Sequence, residues 1–136
     1  MTVIYHELLG DPQRISHTTA LFGVNFPMRL EPAVFTIAGQ LSQDYTGGLW
    51  QFFALCNDGF YMAPQSERRF KVVAANGFEG DMSADALGIT VCLYAYSQLS
   101  FTGAGAFQET CAEQFHLLRA LALDHAEATA IFAAAN

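Results

Sequence analysis

Few residues in this sequence have the types and spacing that covalent catalysis requires. Cys111 lies five residues before His116, and His125 directly follows Asp124, so a Cys/His hydrolase is one hypothesis. Such an enzyme needs a nucleophile, a base and a group that orients the base. His116 lies in the segment FHLLRAL at helical spacing from Leu118 and other apolar residues, which favours a packing or surface role. There is also no GxSxG motif, and we expect that the protein is not an enzyme.

The histidines and glycines do not form a metal or nucleotide motif. Neither HExxH spacing nor a pair of cysteines at zinc-finger spacing occurs around the histidines, which are His6, His17, His116 and His125. The glycine pairs at 47–48 and 103–105 lack the third glycine and the strand-to-helix context of a phosphate-binding loop. We therefore expect no metal, no cofactor and no catalytic residue.

The distribution of charge argues against direct binding of nucleic acid. The net charge is −7, and residues 72–136 contain seven acidic residues but one basic residue. Contacts with phosphates require clustered lysine and arginine, and the one basic cluster is Arg68, Arg69 and Lys71, interrupted by Phe70. Imitation of DNA is also disfavoured, because duplex DNA carries one charge about every 1.7 Å, whereas most of the 13 acidic residues are scattered singly.

Two groups of polar residues are candidates for contact with a protein partner. The first group lies at the tip of a predicted hairpin, where loops held by a rigid scaffold often carry function. The second group is acidic and could bind a cation or a basic protein surface, although a solvated strand edge and helix start explain it equally well. The candidate residues are Asn57, Asp58 and Tyr61 in the first group, and Glu79, Asp81 and Asp85 in the second.

Composition and cysteine content indicate a folded cytoplasmic protein. Hydrophobic residues make up 52% of the chain and charged residues 14%, which is far from the composition of disordered chains. The odd number of cysteines predicts reduced, buried thiols at Cys56, Cys92 and Cys111. Neither a signal peptide nor an uncharged apolar stretch long enough to span a bilayer is visible, so we expect no membrane role.

The pattern of apolar residues predicts an α+β fold in a single compact domain, residues 1–136. A four-stranded antiparallel meander should pack against about four helices, whereas residues 1–20 are expected to be irregular or partly disordered apart from a short helix that starts near Ser16. Pro32 and Ser83 predict the starts of two helices, over 31–45 and from 84 onwards. Two further helices are expected over 107–122 and, capped by Asp124, over 125–134.

Two asparagine-glycine turns set the expected strand register. A three-residue loop that pairs Cys56 with Phe60, and another that pairs Ala74 with Phe78, each collect the apolar residues of a hairpin on one face. Both registers predict a left-handed glycine, Gly59 in the first hairpin and Gly77 in the second. Gly88, within an apolar predicted helix, indicates a close approach of another element.

Three separated blocks of the sequence are similar to the ArdB/KlcA antirestriction family, which is carried on plasmids and other mobile elements. The blocks are GGLWQFFALCNDGFYMAP, NGFEGDMSADALGITVCLYAYSQL and FHLLRALALDHAEATAIFAAA, and the resemblance extends over roughly residues 20–135. It implies protection of incoming DNA from type I restriction–modification, in a compact α+β fold that has no cofactor. It also implies that the protein does not act as an obvious DNA mimic.

The residues and the resemblance together predict a binding protein. Its expected partner is a protein, either a type I restriction complex or a host factor that controls one, and the chain itself is expected to be a monomer or a homodimer. A small regulatory or interaction module of a mobile element is an alternative function. The Cys/His hydrolase is a third and less favoured one.

Overall fold

A computed structural model describes residues 3–136, which form an α+β fold of helices and two small antiparallel sheets. A short π-helical segment, Phe26–Leu30, leads directly into the second helix. The elements in chain order are β1 (His6–Leu8), α1 (Asp11–Phe22), α2 (Glu31–Leu41), β2 (Trp50–Leu55), β3 (Phe60–Pro64), β4 (Arg69–Val73), β5 (Glu79–Ser83), α3 (Ala84–Ser100), α4 (Ala106–Leu123) and α5 (Ala128–Ala135).

The strands form two sheets instead of the predicted four-stranded meander. One sheet has the order β1-β2-β3, and β4 pairs with β5 alone. Pro64, which has no N–H to donate to a ladder, ends β3, and the N–H of Arg68 turns back to the Ser66 hydroxyl. Because the chain turns away at this point, β3 and β4 do not pair. The α+β class is confirmed, but the single meander is wrong.

The N-terminal segment is more regular than the sequence suggested. β1 pairs with β2, with His6 opposite Leu55, and the N–H of Leu9 donates to the Phe52 carbonyl at 2.8 Å. α1 begins at Asp11, well before Ser16, with Pro12 in its first turn. The expectation of an irregular segment over residues 1–20 is therefore corrected, except at residues 1 and 2, which lie outside the described part of the chain.

The hairpin of β2 and β3 has the predicted faces but a different register. Ala54, and not Cys56, lies opposite Phe60, and the left-handed residue of the loop is Asp58, at φ 74°, instead of Gly59. A shift of two residues leaves every side chain on its original face, so the apolar pattern could not distinguish the two registers. A Cβ at Gly59 would lie 2.7 Å from Leu55 Cδ1 and 3.2 Å from Leu117 Cβ, so a larger residue there would require these side chains to shift.

The hairpin of β4 and β5 has the predicted register. Phe70 lies opposite Met82, and the N–H of Ala74 donates to the Phe78 carbonyl at 2.9 Å. Gly77 has the expected left-handed backbone, with φ 97°. Phe70, Val72 and Met82 face the core, whereas the charged side chains of the two strands and Val73 are exposed.

α3 is the central element of the core. Its N-cap is Ser83, as predicted, whose hydroxyl accepts a hydrogen bond from the N–H of Ala86 at 3.1 Å. Almost every residue from Ala84 to Tyr96 is buried, because α3 packs against β3, α2, α4 and α5. Although α3 is apolar, no helix among residues 3–136 combines the length and hydropathy needed to cross a membrane.

Three details of helix ends and cysteines differ from the predictions. α2 ends at Leu41 and not near 45, because Ser42 adopts an extended backbone. α5 begins at Ala128, and Glu127 occupies the N-cap position predicted for Asp124. Cys56 is exposed instead of buried, whereas the other two cysteines are buried, and all three thiols are free.

Candidate functional site

Four polar side chains that are distant in sequence form one hydrogen-bonded chain, which we call the polar cluster: His6, Tyr61, Asp85 and His125. The Tyr61 hydroxyl lies 2.6 Å from Asp85 Oδ1 and 2.6 Å from His6 Nδ1. The other oxygen of the same carboxylate, Oδ2, lies 2.8 Å from His125 Nε2. The cluster therefore joins the N-terminal strand, the central sheet and two helical regions.

Each residue of the polar cluster is held by a different element. His6 belongs to the edge strand β1, where its ring stacks on Phe53 with centroids 4.7 Å apart. Tyr61 lies on β3, opposite Phe53, and its side chain is fully buried. Asp85 is in the first turn of α3, where the helix dipole favours a carboxylate, and His125 lies between α4 and α5.

The hydrogen bonds assign the protons of the polar cluster. An ionised carboxylate can only accept, so the Tyr61 hydroxyl and His125 Nε2–H both donate to Asp85. Because the tyrosine proton is used in this way, the hydroxyl accepts from His6 Nδ1–H. In the neutral ring, His125 Nδ1 accepts from the N–H of Glu127 at 2.9 Å, so both nitrogens are then occupied by the protein itself. Protonation of the ring removes this contact and adds the charge that pairs with Asp85.

These contacts shift the pKa values of the cluster in opposite directions. Burial alone would raise the pKa of Asp85, but the hydrogen bonds from His125 and Tyr61 outweigh it and hold the pKa below 3.8. The hydrogen bond to Asp85 raises the pKa of His125 above 6.5, against the opposing effect of burial. Burial and the neighbouring Asp85 raise the pKa of Tyr61 far above its ordinary value, so its hydroxyl stays protonated.

Glu127 continues the network away from the cluster. Its carboxylate accepts from the N–H of Ser83 at 2.9 Å and from the hydroxyl of the same residue. It also pairs with Arg69 at 3.3 Å, and Arg69 in turn pairs with Asp81 at 3.0 Å. Through these contacts the start of α5 is fixed to the start of α3 and to the second sheet.

A pocket of about 300 Å³ opens onto the polar cluster. Asp85 and Asp124 line it as acidic residues, and Leu121 contributes an aliphatic wall. The residues just before β1 close another side, and the Tyr5 ring there is 68% exposed. A larger cavity of about 430 Å³ lies by α1, where its lining combines Phe26 and Phe52 with charged side chains that include both Arg14 and Glu31.

The predicted partner contacts in the first hairpin are mostly held inside the protein. Tyr61 is buried, so the expectation that it is exposed is wrong. Asn57 Nδ2 donates to the Leu117 carbonyl at 3.0 Å, and its Oδ1 accepts from the N–H of Gly59, so its side chain fixes the loop to α4. Asp58 is exposed at the tip, as predicted, and its carbonyl accepts from the buried Gln114.

The three acidic candidates do not form one surface. Glu79 and Asp81 are exposed on β5, but Asp81 is engaged by Arg69. Asp85 lies in the polar cluster, where Tyr61 and His125 bind both carboxylate oxygens. Only Asp58, Glu79 and Asp81 thus remain available as exposed candidates for contact with a partner, and that role stays a prediction.

The structure does not bring a nucleophile and a base together. Cys111 is fully buried in α4, where burial raises the pKa of its thiol to about 11, whereas His116 is exposed on the same helix. The Asp85–His125 pair resembles the base of a triad, but the second nitrogen of His125 is bound by a backbone N–H. Within the described residues 3–136, no thiol or serine hydroxyl hydrogen-bonds to the ring. Residues 3–136 contain no group of three or more side chains placed to hold a metal ion.

Sequence reasoning missed His6 and His125 as members of a site. These residues were weighed only as metal ligands and as part of a hydrolase, and no motif connects them. His6 of β1 lies opposite Leu55 of β2, and Tyr61 of β3 lies opposite Phe53 of β2. Only the pairing of β1 with β2 therefore brings His6 to the tyrosine. The one available signal was Asp85, which the sequence places in the first turn of a helix.

Comparisons with known proteins show the family to which this chain belongs. A family model described as "Antirestriction protein" matches residues 43–136. An antirestriction protein KlcA from Escherichia coli is 45% identical over 93% of this chain and 89% of the relative. A second KlcA from the same species is 36% identical over 93% of this chain and 91% of its own length. The chain belongs to the antirestriction protein family.

A solved structure has the same fold. It superposes with a TM-score of 0.90 at 34% identity and covers 99% of this chain and 96% of its own. It comes from work on the KlcA and ArdB proteins, which are described as showing a novel fold and antirestriction activity against Type I DNA restriction systems in vivo but not in vitro. The resemblance found in the sequence is therefore confirmed in both sequence and structure.

Proposed function

We propose that this protein protects incoming mobile-element DNA from type I restriction–modification by binding a protein, without catalysis and without imitating DNA. The partner is a type I restriction complex or a host factor that controls one. The observation that carries the proposal is family membership together with a matching fold at a TM-score of 0.90. The KlcA and ArdB proteins of that fold have activity against type I systems.

The activity of the KlcA and ArdB proteins in vivo but not in vitro supports action through a cellular partner. A polyanion that occupies the DNA groove of a restriction enzyme needs no further component, so it should inhibit the purified enzyme as well. A protein that acts through a host factor inhibits only where that factor is present. By similarity, the same dependence on cellular components is expected of this chain.

The placement of carboxylates also supports protein binding over DNA mimicry. A DNA mimic needs rows of free carboxylates at the spacing of phosphates. In this protein several carboxylates are engaged by the protein itself, and the remaining ones are spread over several elements, with Glu109 and Glu113 together on α4. The engaged ones include Asp11, Asp44, Asp81, Asp85 and Glu127. Such a surface presents isolated charges, which suit contacts with one protein partner.

The cytoplasm is the compartment where we place this action. The thiols of Cys56, Cys92 and Cys111 are free, which suits a reducing compartment. Monomeric and homodimeric forms are both compatible with the proposed binding, since a single exposed surface is sufficient. The whole chain, residues 1–136, is proposed to act as one domain.

The experiment that tests the proposed function is the plating efficiency of unmodified phage on a host with a type I system. We expect the gene to raise the plating efficiency by at least about tenfold, and to have no effect on a host that lacks the system. A point variant that unfolds the protein provides the negative control. Equal restriction with and without the intact gene would contradict the proposal.

A further inference from the structure

We propose that the pocket at the polar cluster is the docking site for an arginine side chain of the protein partner. This inference rests on the proposed function, which requires a protein partner, and adds the chemistry by which that partner is recognised. Three properties of the pocket carry it: the hydrogen-bonding groups that are left free, the charge of its lining, and the shape and apolar character of its walls.

The free hydrogen-bonding capacity of the pocket consists of acceptors. His6 uses Nδ1–H on the Tyr61 hydroxyl, so this donor is not available to a ligand. The hydroxyl of Tyr61 has given its proton to Asp85. His125 has both nitrogens engaged, and the carboxylate of Asp85 keeps further lone pairs. A ligand that satisfies this lining must therefore donate hydrogen bonds.

The charge of the lining selects a cation. Asp85 and Asp124 both line the pocket, and neither lysine nor arginine is among its described lining residues. His125 also lines it and offsets part of the charge of Asp85, with which it is paired, so the carboxylate of Asp124 is the main charge offered to a ligand. The carboxylate of Asp124 is at the exposed rim, where it can pair with an incoming charge. Arginine is the side chain that combines a permanent positive charge with five N–H donors and no acceptor.

The walls of the pocket fit the rest of an arginine side chain. Ile4 and Leu121 offer aliphatic surface for the methylene stem, and the exposed Tyr5 ring offers a face for a guanidinium. A volume of about 300 Å³ is at the lower limit of small-molecule sites, so it suits one long side chain better than a large ligand.

A direct binding experiment tests the pocket without any restriction assay. The ¹⁵N-labelled protein is titrated with Nα-acetyl-arginine amide, and the isosteric but uncharged acetyl-citrulline amide is the matched control. We expect saturable shifts of the amides of Tyr5, His6 and Asp124 with the arginine probe and none with citrulline. Asp124→Asn should weaken the binding at least about tenfold, whereas Glu113→Gln, on the exposed face of α4, should leave it unchanged.

Three results would overturn the proposal: no saturable shift at the pocket, equal shifts with citrulline, or equal affinity for the corresponding lysine amide. A DNA duplex that shifts the same residues would also overturn it, because the occupant would then not be a protein side chain. Overlapping thermal unfolding curves for wild type and Asp124→Asn ensure that a loss of binding does not arise from unfolding.

A cell experiment connects the pocket to the proposed function. We expect Asp124→Asn and Tyr5→Ala to reduce protection of unmodified phage at least about tenfold, with Glu113→Gln as active as wild type. Full protection by both pocket variants would overturn the proposed docking site. The proposed function would still stand in that case, because the wild type protects. If the wild type itself fails to protect, the proposed function fails, and the titration still decides whether arginine binds.

Discussion

Replacement of Gly88 by alanine is expected to destabilise the fold by about 2–3 kcal/mol, although alanine is the better helix former. A Cβ on residue 88 would lie 2.3 Å from the Ala63 Cβ and 2.5 Å from the Met62 carbonyl oxygen. Both of these atoms belong to β3, which is buried along its whole length, so neither α3 nor the strand can move aside cheaply. The overlap therefore outweighs the gain of about 1 kcal/mol in helix propensity.

Urea unfolding followed by circular dichroism measures this effect, and Gly39 provides the matched control. Gly39 also lies within a helix, α2, but a Cβ there would have no atom within 4 Å. Gly39→Ala is thus expected to stabilise the protein by up to about 1 kcal/mol. Equal stabilisation by the two substitutions would show that α3 and β3 do not approach as closely as described.

Substitution of Asp85 by asparagine is expected to cost about 1–2 kcal/mol of unfolding free energy. The amide would direct an NH₂ group at either Tyr61 or His125, both of which already donate to this position. His125 cannot reverse its role, because its Nδ1 accepts from a backbone N–H. We place the loss in the lower part of the range for charged hydrogen bonds, since the Asp85 side chain is 34% exposed and water screens part of the interaction.

Asp81→Asn is the matched control for Asp85→Asn. Asp81 pairs with Arg69 at an exposed position, so its substitution should change the stability by less than about 0.5 kcal/mol. Unfolding curves of both variants and of the wild type at pH 7 give the comparison. Losses of equal size would mean that the polar cluster contributes no more than a surface ion pair.

The pKa shifts also predict how the cost of Asp85→Asn depends on pH. The pKa of Asp85 is held below 3.8 in the folded state, so its contribution is present above that pH and is lost as the pH falls through the lower, folded value. The pKa of His125 is raised above 6.5, so its contribution is present below 6.5 and is lost as the pH rises through the folded value. The difference between wild type and variant should therefore be largest between these two limits.

Local patterns predicted the parts of the fold that depend on local chemistry. The start of α3 at Ser83 and the register of β4 with β5 follow from a capping hydroxyl and from one alternation of apolar and charged side chains. In the first hairpin, two registers that differ by two residues put the same side chains inside. The observed register is accompanied by hydrogen-bond contact of the loop with α4, through Asn57 and Asp58. That contact comes from another part of the chain and could not be read from the hairpin.

Long-range pairing accounts for what the sequence did not predict. β1 is a short strand of exposed residues with no apolar alternation, and it forms because the edge of β2 is available to it. The polar cluster depends on that pairing, because the pairing brings His6 to Tyr61, which lies 55 positions later in the chain. A histidine that acquires its partner through sheet formation has no local signature, so His6 and Tyr61 could not be assigned to one site in advance.

The most direct test of action by protein binding is the protection of unmodified phage by a charge-reduced variant. Glu67, Glu109 and Glu113 are exposed and lie outside the pocket, and their substitution by glutamine reduces the net charge from −7 to −4. Our account predicts that the triple variant protects DNA from a type I system as well as the wild type does. A loss of protection in a variant that remains folded would contradict it, because our account places the contact with the partner at the pocket, which these three residues do not line.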